Sequence, residues 1–201
     1  MNTHIGIIGA GAIGQSFARQ LLKAGYRVTI SNSRGPESMA PLVQELGNGV
    51  QAGTVKEAAS AGIVILAVPW KHLNEVVANV PTWEGRIVVD ATNPIINPGY
   101  TVADLGGRTS SEVVADLIPG ARLVKAGNTL PADVLAADPR EGSGRRVLFI
   151  SGDEAGAKEE FGRVLDKIGF AVVDLGGLAA GGKLQLFPGG PLAVLNLVRL
   201  P

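Results

Sequence analysis

Short apolar runs alternate along the chain with stretches in which apolar residues recur every three or four positions. The runs are His4–Ile8, Arg27–Ser31, 63–68, 86–91, Arg122–Ala126, 146–151 and 171–175, with Val50–Ala52 a weaker eighth. They are short, rich in Val and Ile, and bounded by turn-forming residues, which predicts β-strands. Helical spacing predicts helices over 12–24, 37–46, Val55–Ala59, 73–79, 111–117 and 153–168. In the last of these Glu159 and Arg163 stand four apart, where opposite charges meet on a helix surface. This alternation predicts βαβ units around a mostly parallel sheet. Residues 63–68 have no polar face, as expected of a central strand covered on both sides. The glycine-rich segments 142–144 and 176–190 read as loops.

The first strand runs straight into a glycine motif. Gly9, Gly11 and Gly14 form G-x-G-x-x-G between an apolar strand and a helical pattern, the context in which this motif binds a dinucleotide. Gly9 permits the tight turn, Gly11 the approach of a pyrophosphate, and Gly14 close packing of helix on strand. The backbone N–H groups around Ala12 and Ile13 open the helix and face the phosphates. At the end of the second strand an NAD-binding chain places an acidic residue for the ribose 2′-hydroxyl. Here that place reads Ser31, Asn32, Ser33, Arg34, and the first acidic residue of the chain is Glu37. Hydroxyl donors and a guanidinium suit a 2′-phosphate, which a carboxylate would repel. NADP(H) is therefore expected over NAD(H); the blander reading of Arg34 is a solvated loop charge. The predicted fold is α/β: a Rossmann-type doubly wound, mostly parallel sheet, with a short C-terminal loop-and-helix extension and no separate substrate domain. Residues 1–201 read as one domain, with 1–150 the dinucleotide-binding core. Residues 151–201 read as a C-terminal helix, strand and glycine-rich loop facing the acceptor.

Composition narrows the chemistry. Cysteine is absent, which removes disulfides, thiolate metal sites and thiol redox steps. The only histidines are His4 and His72, which leaves little room for a histidine metal site or a Ser-His-Asp triad, so no metal is expected. Lys plus Arg and Asp plus Glu both count 18, so no global field points to nucleic acid or a membrane surface. With no targeting segment and no apolar run of membrane-spanning length, a cytoplasmic location is the default.

In an open α/β sheet, ligands sit beyond the carboxyl ends of the strands. Three such ends carry unusual residues: Val68, Pro69, Trp70, Lys71 and His72; Asp90 to Asn93 and Pro94; Lys125 to Asn128 and Thr129. All three are expected to line one crevice with the glycine loop, with Trp70, His72, Asn93 and Asn128 as candidate walls. Each has a plainer reading: Trp70 as a packing residue, His72 as a surface group, Asn93-Pro94 as a turn.

Together the glycine motif, Ser31-Asn32-Ser33-Arg34, Val68-Pro69-Trp70, Asp90-Ala-Thr-Asn93-Pro94 and Lys125-x-x-Asn128-Thr129 resemble the deazaflavin (coenzyme F-420)-dependent NADP oxidoreductase family. The oxidoreductase domain of metazoan ferric reductases is similar. The resemblance implies direct hydride transfer between NADP(H) and a flavin or deazaflavin co-substrate, which needs proximity and a dry site more than an acid or base. It implies that Ser31, Ser33 and Arg34 hold the 2′-phosphate. It places Val68, Pro69, Trp70, Asn93 and Pro94 near the nicotinamide, and Asn128, Thr129 and residues 176–180 at the second ring. Gly127 departs from the bulkier residue of that family, and a glycine there would widen the pocket.

Two other readings compete. A β-hydroxyacid dehydrogenase or pyrroline-carboxylate reductase would need a helical second domain for which few residues are left. An NADP(H)-sensing interaction module would bind the cofactor without turnover. The apolar stretch 191–200 is suited to docking on a second subunit and equally to burial on its own domain; a homodimer is expected. The partner expected in either enzyme reading is a small-molecule redox acceptor.

Overall fold

The structure, a computed structural model, describes residues 4–201. Among these the strands are β1 (His4–Ile8), β2 (Arg27–Ser31), β3 (Val50–Ala52), β4 (Ile63–Leu66), β5 (Ile87–Asp90), β6 (Ile95–Ile96), β7 (Thr101–Val102), β8 (Arg122–Ala126), β9 (Arg140–Glu141), β10 (Gly144–Ser151), β11 (Ala171–Asp174) and β12 (Val198–Arg199). The helices are α1 (Ala12–Lys23), α2 (Ala40–Leu46), α3 (Val55–Ala59), α4 (Leu73–Ala78), α5 (Ser110–Leu117), α6 (Ala132–Ala136), α7 (Ala155–Ile168) and α8 (Leu178–Leu184).

The main sheet has the order β3-β2-β1-β4-β5-β8-β10-β11. From β3 to β8 every pair is parallel; β10 then runs antiparallel to β8, and β11 parallel to β10. This is a Rossmann-type α/β fold with two strands added at one edge. The strand order reverses between β1 and β4, and a crevice opens outside their carboxyl ends at such a reversal.

Period-two alternation explains why both faces are covered. Ile63 and Ile65 of β4 join a core with Phe17 and Leu21 of α1 and Phe161 of α7. Val64 and Leu66 of the same strand join a second core with Leu73 and Val77 of α4 and Val114 of α5. Each such side chain contributes about 1.5–3 kcal/mol on full burial. No helix among the described residues is long and apolar enough to cross a membrane.

The apolar run 63–68 is longer than its strand. Ala67 still donates to Ile8, but Pro69 has no N–H to give, and the chain turns out to form a crevice wall. The segment expected as a loop over 176–190 instead contains α8, and this corrects the sequence reading. Its glycines serve packing: a Cβ on Gly181 would lie 2.4 Å from Ser151, and one on Gly182 would lie 2.9 Å from Thr109. Propensity alone disfavours a helix with two glycines, but close contact with β10 and α5 overrides it. The β6–β7 hairpin, α6, β9 and β12 were not legible as elements, being two to five residues long.

Candidate functional site

A cavity of about 310 Å³ lies at the strand-order reversal. Gly9, Ala10 and Gly11 form its floor, 31–34 one side, Val68, Pro69 and His72 the other, and Val55 and Val76 its apolar end. The three motif glycines have different reasons. Gly9 has φ +112°, and a Cβ there would lie 2.1 Å from the Ala67 carbonyl oxygen. A Cβ on Gly14 would lie 1.9 Å from the Gly9 carbonyl oxygen, so that glycine lets α1 sit against β1. A Cβ on Gly11 would meet nothing within 4 Å. Internal packing therefore does not demand glycine at 11, but a ligand resting on that backbone would. Gly11 caps α1 with no side chain, and the first turn has no acidic residue, so the free N–H groups and helix dipole favour an anion.

The β2 end is arranged differently from expectation at one residue. Ser31 is fully buried, and its hydroxyl donates to the Ile7 carbonyl at 3.3 Å. Ser31 still lines the cavity at the end of β2, with its hydroxyl proton directed to that carbonyl, while Ser33 and Arg34 are the exposed members of the group. Asn32 shapes the loop: its Oδ1 accepts from the Arg34 N–H at 3.0 Å and its Nδ2 donates to Ser38 Oγ at 2.9 Å. Ser33 and Arg34 are exposed on the crevice, no carboxylate pairs with Arg34 among the described residues, and no acidic residue lines the cavity. His72 is exposed on the opposite wall, with Nδ1 3.9 Å from Glu75.

The three loops expected in one crevice are divided. Trp70 is half-buried against the core beneath α4 and does not line the cavity. Asn93, Pro94, Asn128 and Thr129 form a separate packed patch beyond β5 and β8. Asn93 Nδ2 donates to the Asn128 carbonyl at 3.1 Å, and Asn128 Nδ2 donates to Asn93 Oδ1 at 2.9 Å. Asn128 Nδ2 also donates to the Gln185 carbonyl at 2.6 Å, whereas its buried Oδ1 has no partner. Gln185, at the end of α8, donates to the Lys125 and Phe149 carbonyls and accepts from the Ser151 hydroxyl at 2.6 Å. The Thr129 carbonyl accepts from the Val194 N–H. The tail after α8 thus closes over this patch and pairs through β12 with β10.

Beneath the patch lies an ion pair to which the sequence reading gave no role. Lys125 and Asp90 are buried to 1% and 0% exposure, with Nζ 3.1 Å from Oδ2. Lys125 Nζ also donates to the Thr92 carbonyl at 2.5 Å, and Asp90 accepts from the Ser111 hydroxyl at 2.6 Å. Burial pushes the Lys125 pKa down, against the opposing pull of Asp90. The signal was present as a Lys and an Asp each three residues before an Asn at neighbouring strand ends, but pairing them needs the β5–β8 register, in which Asp90 sits opposite Lys125.

Two further expectations change. Gly127 does not widen a pocket. It has φ +74°, and a Cβ there would lie 2.4 Å from the buried Phe17 ring, so α1 supplies the bulk that β8 lacks. Residues 176–180 do not stand on the crevice edge. They follow β11, which runs opposite to β5 and β8, and Gly176 accepts from Gly152 at the far edge of the sheet.

Comparison with known proteins gives a consistent picture. The profile of the family described as NADP oxidoreductase, coenzyme F420-dependent, matches residues 4–94. The metalloreductase STEAP3 of Rattus norvegicus is 30% identical over 185 residues, 92% of this chain but 36% of that protein, so the chain spans about a third of that relative. A solved structure of a hypothetical protein from Sinorhizobium meliloti is 49% identical, with a TM-score of 0.93 over 99% of this chain and 96% of that one. A structure from Arthrobacter sp. FB24, described as a candidate F420-dependent NADP-reductase, is 24% identical with a TM-score of 0.80, over 92% of this chain and 89% of that one; it shares the fold.

Proposed function

The chain belongs to the coenzyme F420-dependent NADP oxidoreductase family, and from that premise we propose that it passes a hydride between NADP(H) and a flavin- or deazaflavin-like acceptor. The observation that carries the cofactor half is the Arg34 guanidinium, with no carboxylate partner among the described residues, beside Ser33 in a crevice that no described acidic residue lines. Ser33 and Arg34 grip a 2′-phosphate through charge-assisted hydrogen bonds. The uncapped start of α1 and the open face of Gly11 hold the pyrophosphate. Val55, Val68 and Val76 give an apolar wall to the adenosine end. The Asn93–Asn128 patch, beyond the next two strand ends, orients the reacting end. When bound, the reduced nicotinamide supplies the hydride, and the residues of this chain align and exclude water. No side chain in the crevice is placed as an acid or base in this reading.

The test is a panel assay. Protein with NADPH is mixed with riboflavin, FMN, a deazaflavin or a ferric chelate, and loss of nicotinamide absorbance is followed. Acceptor-dependent oxidation is expected with at least one ring acceptor, and faster with NADPH than with NADH. Tight NADPH binding with no oxidation by any acceptor would favour a sensing module instead.

A further inference from the structure

The turn after β5 is held with more polar contacts than a turn of this length needs. The Thr92 N–H and hydroxyl both donate to Asp90 Oδ1, at 2.9 and 2.7 Å, while its carbonyl accepts from Lys125 Nζ at 2.5 Å. Both sides of the Thr92 peptide are thereby fixed. The next residue, Asn93, exchanges hydrogen bonds with Asn128. Asn128 lies three residues beyond Lys125, so one ammonium ties together the two loops that carry the amide pair.

Stability alone does not account for this arrangement. A buried ion pair can often be replaced by well-packed apolar groups at no loss, because desolvating two charges offsets most of their attraction. An apolar pair here would leave the Thr92 carbonyl without its ammonium donor. The unpartnered Asn128 Oδ1 makes the point sharper: that side chain is located by its amide protons alone, through Asn93 and Gln185.

We propose that Lys125 and Asp90 are positioning residues that clamp the Thr92–Asn93 turn, and so hold the Asn93–Asn128 amide pair in register with the reacting end of the cofactor. The inference rests on the function proposed above.

Its test is the double substitution Lys125→Met with Asp90→Val, which removes both the ammonium and the carboxylate that hold Thr92 without leaving one buried charge unpaired. Melting temperature and circular dichroism establish folding. NADPH affinity, turnover with riboflavin and hydrogen exchange at residues 92 and 93 are then compared with the parent protein. We expect NADPH binding to stay within about threefold, since the phosphate grip lies elsewhere, while turnover falls about ten- to a hundredfold from misalignment. Exchange at 92 and 93 should quicken while β5 and β8 stay protected. Unchanged turnover in the folded double variant would overturn the proposal, as would a parallel loss of NADPH affinity and turnover. If the parent protein binds no NADPH, the crevice reading falls separately; the exchange arm then decides alone, and unchanged exchange at 92 and 93 refutes the clamp. If the double variant does not fold, Thr92→Val, which takes the hydroxyl from Asp90 and leaves the ion pair whole, is put through the same comparison with the same criteria.

Discussion

Replacing Arg34 by alanine is the sharpest test of the crevice. The guanidinium is exposed, has no carboxylate partner among the described residues, and stands beside Ser33 on a wall with no acidic group. A hydrogen bond to a charged group contributes about 1.5–3 kcal/mol, while exposed ion pairs contribute only about 0.2–1 kcal/mol. A phosphate accepts the planar guanidinium in a two-pronged contact, which lifts the value above a loose surface pair, and exposure keeps it near the lower end of the charged range. About 1.5 kcal/mol is therefore expected, a roughly tenfold weaker NADPH Kd. NADH, which lacks the 2′-phosphate, should bind the two proteins alike. Titration of each cofactor by fluorescence measures both. Because the Debye length falls from about 10 Å at 0.1 M salt to about 3 Å at 1 M, added salt should shrink the parent's preference towards that of the variant. Equal losses for NADPH and NADH, or a preference that salt leaves untouched, would refute the assignment.

Two other tests address single links. Gly11→Ala places its methyl group in open space, so the melting temperature should hold while NADPH affinity drops; Gly14→Ala, with its Cβ 1.9 Å from a carbonyl oxygen, should lower the melting temperature itself. A Gly11→Ala protein that binds NADPH normally would show that no ligand rests on that backbone. Glu112 closes a capping box on α5, and the Thr109 backbone N–H, then its hydroxyl, hold the carboxyl below its ordinary 4.5, with Arg108 and Lys183 assisting. A depressed carboxyl pKa gives stability that is complete above the ordinary value and lost as pH falls through the folded one. Glu112→Gln keeps the geometry without the charge, so the melting-temperature gap between parent and variant should be constant above about pH 5 and close below it. A gap that persists to lower pH would contradict that account.

The nucleotide end was legible because it is local. Strand, glycine turn and helix are contiguous from His4 to Lys23, and the absence of an acid before Glu37 is visible in the letters themselves. The buried setting of Ser31 was not legible: its hydroxyl donates to the Ile7 carbonyl of the neighbouring strand, a contact that depends on the β1–β2 register. The Asn93–Asn128 patch was less legible because it is built from distant pairs. Asp90 meets Lys125 only through strand register, Asn128 meets Gln185 across 57 positions, and Gly127 makes sense only once Phe17 is seen against it. Helix α8 escaped because its glycines, which signal loops locally, are there for contact with other elements.

The Gln185 contacts make the two ends of the proposed site depend on different lengths of chain. Every residue lining the crevice precedes position 77, and Ser33 and Arg34 precede position 35. The amide pair at the other end needs Gln185, and the loop at Thr129 needs Val194. A domain folds as a unit, and the core that seats α1 includes Phe161 of α7, so the crevice itself is not in place before α7 is made. The stretch after α8 lends its contacts to the amide pair and supplies no residue to the crevice, so under the proposed function a backbone nick there should cost alignment more than capture.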